Sequence, residues 1–225
     1  FDEQIFTPVS ENFANIDVVA EQYGPFDFLL ADLGVSSMQI DNPERGFSYK
    51  QEGPLDLRLN PQSGIPACER LKEMSREEIE GMLLDNSDEP YAAEIARAIS
   101  GSLRKGKALD TTTQLAALIE ETLSFLPEKE RKEGVKKSCA RVFQALRIDV
   151  NSEFEVLDAF LEKLPDVMVS GGRIAILTFH SGEDRLVKRA FKQGKKVGVY
   201  REIAEEVIRP SAQECAVNPR AKSTK

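Results

Sequence analysis

Two short apolar runs, far apart in the chain, each stop on residues that a hydrophobic core does not need. Residues 26–32 read Phe-Asp-Phe-Leu-Leu-Ala-Asp and lead into Gly34, while residues 173–180 read Arg-Ile-Ala-Ile-Leu-Thr-Phe-His after the turn Ser170-Gly171-Gly172. Apolar runs of this length with little polar alternation fit buried parallel strands, which are covered on both faces. Before the second run, Phe154, Leu157, Phe160, Leu161 and Leu164 recur at helical spacing, with Asn151 or Ser152 as N-cap and Pro165 beyond the end. After it, Asp184–Phe191 reads as a helix, and Ile5–Val9 is a weaker third strand. Strand, helix, glycine turn and strand make an α/β pattern, in which ligands sit at the carboxyl ends of strands.

The middle of the chain has a different grammar. Ser75–Leu84, which opens on a Ser-x-x-Glu capping box, Tyr91–Ile99 and Thr112–Leu123 read as amphipathic helices with no strand between them. An inserted helical subdomain is therefore expected over 66–138, dividing a sheet-containing domain into 1–65 and 139–225.

Composition excludes several classes. With 225 residues, 41% of them hydrophobic, the chain can build a core and is not disordered. No stretch approaches the roughly 20 apolar residues of a membrane span, and the N-terminal residues do not look like a secretory signal. Three cysteines, Cys68, Cys139 and Cys215, lie far apart and outside any Cys-x-x-Cys spacing. That argues against disulfides and zinc and fits a reducing cytoplasm. The net charge of −8 hides an asymmetry: residues 171–225 carry +6 and residues 1–170 carry −14. The densest basic stretch runs from Arg185 to Arg201 and reads either as a solvated helix face or as a set of phosphate contacts.

Three segments concentrate chemistry. Asp32-Leu33-Gly34-Val35-Ser36-Ser37-Met38-Gln39 places a carboxylate at a strand tip beside two hydroxyls, a polar rim for a small ligand or a hydroxyl-stabilised turn. The Gly- and Pro-rich stretch from Asn42 to Arg58 lacks periodicity, which in a compact domain marks a functional loop, and its Phe47 or Tyr49 can stack on a base or pin the loop. His180, the chain's only histidine, sits at the second strand's end beside Ser181, Glu183 and Asp184. One histidine cannot build a histidine-rich metal site. A Ser36–His180–Asp32 hydrolase lacks the Gly-x-Ser-x-Gly elbow.

Six ordered blocks carry a resemblance: Asp32-Leu-Gly-Val-Ser-Ser-x-Gln39, Pro43-Glu-Arg-Gly-Phe-Ser48, Gly53-Pro-Leu-Asp-Leu-Arg58, Phe143-Gln-Ala-Leu-Arg147, Thr178-Phe-His-Ser-Gly-Glu-Asp-Arg-Leu-Val-Lys188 and Asn218-Pro-Arg-Ala-Lys222. From about residue 12 onward the chain closely resembles the RsmH/MraW family of 16S rRNA cytosine N4-methyltransferases. The resemblance implies a class I S-adenosylmethionine-dependent methyltransferase fold, Rossmann-like α/β with a helical insertion. It also implies methyl transfer to the exocyclic N4 of a cytidine in the decoding region of 16S rRNA, within the small ribosomal subunit. By position, Phe13, Asp32 and Gln39 match the family's cofactor contacts.

For this chemistry Asp32, Ser36, Ser37 and His180 are the candidate catalytic groups, and Arg45, Arg58, Arg147, Lys188 and Arg189 the candidate RNA contacts. Methyl transfer from a sulfonium needs no metal and no membrane; a homodimer is left open. Thr178 and Gly182 replace the family's usual Ser and Leu, and Asn60 its usual Asp. The family's Gly-rich cofactor loop and following acidic residue are not found in the sequence, so the chain is expected to lack the N-terminal part and the last strand of the fold, with weak cofactor binding by itself. The alternative is a non-catalytic RNA-binding relative that has lost the cofactor loop.

Overall fold

The computed structural model describes residues 5–225. In chain order they form α1 (Ile16–Tyr23), β1 (Phe26–Asp32), α2 (Ser37–Asp41), α3 (Ala67–Glu73), α4 (Arg76–Ser87), α5 (Ala92–Arg104), α6 (Thr112–Thr122), α7 (Glu128–Asn151), α8 (Glu153–Val167), β2 (Met168–Leu177), α9 (Ser181–Lys196) and α10 (Ala212–Val217). Single 3-10 turns lie at Phe13–Asn15, Pro43–Arg45, Leu123–Phe125 and Pro219–Ser223. The chain divides into two compact units: a sheet unit, made of the residues up to Gly34 with Phe154–Lys225, and a helical unit, Val35–Glu153.

In the sheet unit β1 and β2 pair in parallel, Leu29 opposite Ile174 and Ala31 opposite Ile176. These residues face a cluster formed by Leu157, Phe160, Leu161 and Leu164 of α8 and Val187 of α9. The alternating side chains of β1, Phe28 and Leu30, are each 59% exposed. The buried strand expected from the apolar run at 26–32 is therefore corrected among the described residues: the helices cover one face and leave the other open. The Ser170-Gly171-Gly172 turn appears as a bulge, because the register jumps from Phe26↔Met168 to Phe28↔Arg173 and residues 169–172 loop out. The expected strand at Ile5–Val9 does not form; these residues are irregular, and Ile5 is 85% exposed. Pro8 has no N–H for a ladder. Pro165 falls inside the last turn of α8 rather than beyond it, and the helix runs on to Val167.

The helical unit is wider than the 66–138 expected. Leu55 and Leu57, from the Pro- and Gly-rich stretch, join the same buried cluster as Ile79, Leu83, Ile95 and Ile99, and α7 continues through position 138 to bring in Val142, Phe143 and Leu146. Capping boxes start α4 (Ser75 with Glu78) and α6 (Thr111 with Gln114), where each hydroxyl accepts the N3 amide and the N3 side chain accepts the cap amide. α4 and α7 are tied by Asn86 Nδ2 donating to the Ala145 carbonyl and Gln144 Nε2 donating to the Asn86 carbonyl, both 3.2 Å. No helix among the described residues is long and apolar enough to cross a membrane.

Candidate functional site

The carboxyl ends of β1 and β2 lie side by side, since Asp32 is in register with Leu177 and the Leu33 amide donates to the Leu177 carbonyl at 3.2 Å. Asp32 therefore stands at the tip of one strand, and the other leads three residues on to His180. The Asp32 side chain is exposed and has no hydrogen bond or ion pair among the described residues. A strand-tip carboxylate without a partner is free to accept hydrogen bonds from a ligand. Gly34, two residues on, has φ +82, the left-handed backbone that turns the chain away from the strand.

His180 is the N-cap of α9, not a side chain held out for a ligand. Its Nδ1 accepts a long bond from the Glu183 amide at 3.5 Å. Its Nε2 is buried without an aligned hydrogen bond, 3.2 Å from Glu183 Oε1. The other oxygen of Glu183 accepts the Phe179 amide at 2.7 Å. With Nδ1 accepting, a neutral imidazole carries its proton on Nε2, toward the buried carboxylate. Gly182 leaves room for the Phe154 ring, 6.0 Å from the imidazole. The sequence reading misses the Glu183 pairing, although an acceptor three residues after an N-cap is the same capping-box spacing that marks α4.

The next residue of the motif binds two cations. Asp184 Oδ2 lies 2.9 Å from Lys188 Nζ and 3.0 Å from Lys225 Nζ. Burial pushes the Asp184 carboxyl up, but the two lysines together outweigh it and hold it below its usual range. Thr178 and Lys225 exchange backbone bonds of 3.0 and 2.9 Å, so residues 218–225 end at the carboxyl end of β2. Arg189 reaches Asp158 of α8 at 3.2 Å. Phe13 packs edge-on against Phe160, centroids 5.1 Å apart, and keeps 42% of its surface exposed.

The remaining sequence candidates lie in the helical unit and are mostly engaged in local structure. Ser36 and Gln39 cap α2 reciprocally: Ser36 Oγ accepts the Gln39 amide at 3.2 Å and Gln39 Oε1 accepts the Ser36 amide at 2.9 Å. Ser37 is the first residue of that short helix and is exposed. Arg45 donates to the Arg58 and Leu59 carbonyls at 2.9 and 2.8 Å, with its guanidinium 5.6 Å from the Phe47 ring. Arg58 makes a two-pronged pair with Asp56 at 2.7 and 2.8 Å. Arg147 does the same with Glu153 at 2.7 and 2.9 Å, both side chains largely buried.

The Asn42–Arg58 stretch is thus a rigid scaffold rather than an open loop. Gly46 and Gly53 lie against the backbone of Pro54 and Pro43 so closely that any Cβ would collide. The Asn151 side chain closes the arrangement, donating to the Leu57 carbonyl at 2.8 Å and accepting the Leu59 amide at 2.7 Å. Of the two aromatics weighed for stacking, Tyr49 tilts against Phe143 at 5.4 Å and Phe47 packs on the core, so both pin the loop.

The cluster of Cys68, Glu69 and Asp110 is poorly suited to a metal ion. Its ligand atoms come within reach of one another, but Lys72 sits on both acids at 2.8 and 3.4 Å. The Cys68 thiol is pushed up by burial, which keeps it protonated.

A family model described as the MraW methylase family matches residues 1–225. The chain is 64% identical over 225 residues to ribosomal RNA small subunit methyltransferase H 1 of Agathobacter rectalis, covering all of this chain and 64% of that protein. It is 62% identical over 225 residues to the protein of the same name from Lachnoclostridium phytofermentans, all of this chain and 62% of the relative. It is 38% identical over 222 residues to ribosomal RNA small subunit methyltransferase H of Prochlorococcus marinus, 96% of this chain and 72% of the relative. The chain spans a little under two thirds of the length of the first two relatives.

Proposed function

This chain belongs to the MraW methylase family, and on that premise we propose that it is part of an S-adenosylmethionine-dependent methyltransferase that acts on small-subunit ribosomal RNA. In the finer reading, the acceptor is the exocyclic N4 of a cytidine in the decoding region of 16S rRNA. The observation that carries this reading is the exposed Asp32 carboxylate at the end of β1, without a partner among the described residues and in register with the strand that leads to His180. The α/β architecture with a parallel strand pair suits ligand binding at that end.

Two residues of the sheet unit fit the cofactor by chemistry: Asp32 as an acceptor for hydroxyl or amino hydrogens, and Phe13, whose ring keeps an exposed portion for a flat heterocycle. S-adenosylmethionine supplies, when bound, an electrophilic methyl group on a sulfonium. The cytosine N4 lone pair is delocalised into the ring, so the amine is a weak nucleophile. A carboxylate or hydroxyl accepting its hydrogens favours pyramidal nitrogen and fixes its direction of approach. Asp32 has a free carboxylate for this; the Ser36 hydroxyl proton and the Ser37 side chain are further acceptor–donor groups on the same motif. Gln39 spends its side-chain oxygen on the α2 cap and retains its amide NH2 for a ligand. His180, with Nδ1 on the Glu183 amide and Nε2 toward the Glu183 carboxylate, holds the start of α9 in place.

The reading is tested with the full-length protein, small subunits from a strain lacking the modification, and labelled S-adenosylmethionine. Transfer to cytidine N4 is expected in the subunit RNA; transfer to naked DNA but not to subunits overturns it. Asp32→Ala abolishes cofactor binding, while His180→Ala chiefly lowers turnover. Equal loss of cofactor affinity in both contradicts the separate roles. RNA binding retained without any methyl transfer favours the non-catalytic reading.

A further inference from the structure

α9 carries its cations as one stripe. Arg185, Lys188, Arg189, Lys192 and Lys196 recur at helical spacing, and all five line a single open groove between α8 and α9, about 1150 Å³ in volume. The stripe is not uniform. Toward the start of α9, Lys188 is paired with Asp184 and Arg189 with Asp158. Toward its end, Lys192 and Lys196 are exposed and have no ion-pair partner among the described residues. Lysines in a last turn complement the helix dipole, which accounts for Lys195 and Lys196 but not for Lys192 a turn earlier.

The same end of the groove carries an aromatic ring. Tyr200 turns back onto α9, its ring 5.4 Å from Phe191 and edge-on to it. Gly194 makes this approach feasible, because a Cβ there would collide with the Tyr200 ring. Leu161, Pro165, Ala190 and Val199 supply an apolar lining beside it. Cations with no ion-pair partner among the described residues, an aromatic ring packed on α9 and an apolar lining thus share one groove, the combination that suits single-stranded nucleic acid: phosphates on the cations, a base on the ring. An acidic protein segment would use the lysines and leave the ring without a role. The facing helix α8 presents Asp158 and Glu162, and this sets an orientation, with phosphates along α9 and bases toward α8.

We propose that the carboxyl-terminal half of α9, Lys192 and Lys196 with Tyr200, is a docking site for a single-stranded segment of the ribosomal RNA substrate. The proposal rests on the methyltransferase reading for the identity of the RNA, and it shifts the RNA contact from Lys188 and Arg189 to the free end of the same helix.

The test measures binding of a fluorescein-labelled single-stranded oligoribonucleotide to the full-length protein across a salt titration. Lys192→Glu/Lys196→Glu is expected to weaken binding about tenfold or more and to reduce the slope of log K against log salt by about 1.4, at about 0.7 for each phosphate no longer neutralised. Tyr200→Leu is expected to weaken it about fivefold or more with the slope unchanged, and Tyr200→Phe to restore it, because stacking releases no counterions. Both lysines are exposed, so the charge variant is expected to stay folded, with only a small drop in thermal midpoint from the charge reversed at the carboxyl end of the helix dipole. Unchanged affinity and slope in the charge variant overturn the proposal while leaving the methyltransferase reading intact. Normal oligoribonucleotide binding with lost affinity for whole subunits assigns the stripe to a ribosomal protein, which also overturns it. Wild-type protein that neither binds RNA nor methylates subunits sinks both.

Discussion

The helical unit and the sheet unit are held by different means. The helical unit closes on a cluster of 21 buried hydrophobic side chains, so its loops are pinned by packing as well as by hydrogen bonds. The corresponding cluster of the sheet unit has six among the described residues, and one face of β1 keeps Phe28 and Leu30 open. At the carboxyl end of that small sheet, local polar devices take over: the His180–Glu183 cap, the Thr178–Lys225 exchange and Asp184 between two lysines. Polar density in a sequence therefore does not by itself mark a ligand site. In the helical unit it marks cross-braces; at the strand tips it leaves Asp32 unspent among the described residues.

The largest effect that sharpens this contrast is expected at Arg147. Arg147→Met strands the Glu153 carboxylate, 12% exposed, without its guanidinium and costs about 3–5 kcal/mol, read by urea unfolding. Arg147→Met/Glu153→Leu recovers most of that loss. A stable single variant with weakened RNA binding would instead return Arg147 to the RNA-contact role.

Next, Ile99→Ala in the helical core is expected to cost about 2–4 kcal/mol, whereas Phe28→Ala on the open sheet face costs less than about 1 kcal/mol by the same measurement. Equal losses would erase the difference between the units. Smaller again is Gly53→Ala, about 1–3 kcal/mol, because its methyl group meets the Pro43 carbonyl oxygen and the two loop strands must part.

The smallest effect is electrostatic. The two hydrogen bonds from Arg58 outweigh burial and hold the Asp56 carboxyl below the usual carboxylate range. A carboxyl depressed in the folded state adds stability above its unfolded value and loses it as pH falls through the lower folded value. Acid weakening of this loop is therefore expected only below about pH 4. Asp56→Asn removes about 1–2 kcal/mol at neutral pH and flattens the acid slope of thermal unfolding. An unchanged slope would show that the pair contributes nothing to the rigidity of the loop.

Much of the local structure is legible in residue order. The apolar run at 26–32 is β1 to the residue, and Ser75-x-x-Glu78 starts α4 as its capping box requires. The helices read at Tyr91–Ile99 and Thr112–Leu123 appear as α5 and α6. α7 is hidden from such a reading, because its first half, Glu-Lys-Glu-Arg-Lys-Glu-Gly-Val-Lys-Lys, shows charge rather than apolar periodicity, and its buried residues begin only at Ser138. The stretch from Asn42 to Arg58 has the composition of a functional loop; its rigidity rests on Asn151, which is 94 residues from Leu57 and invisible to any local pattern.

The candidate site divides in the same way. Residue order alone placed Asp32 and His180 at strand ends and supplied the ordered blocks that mark the family, because strand tips, caps and motifs are set within a few residues of sequence. Only the folded chain decided which charged groups are free. Arg45, Arg58 and Arg147 are spent on carbonyls and carboxylates, His180 faces Glu183, and Asp32, Lys192 and Lys196 stay without partners among the described residues. A charge is available to a ligand only when no opposite charge or carbonyl reaches it, and that depends on where distant segments pack.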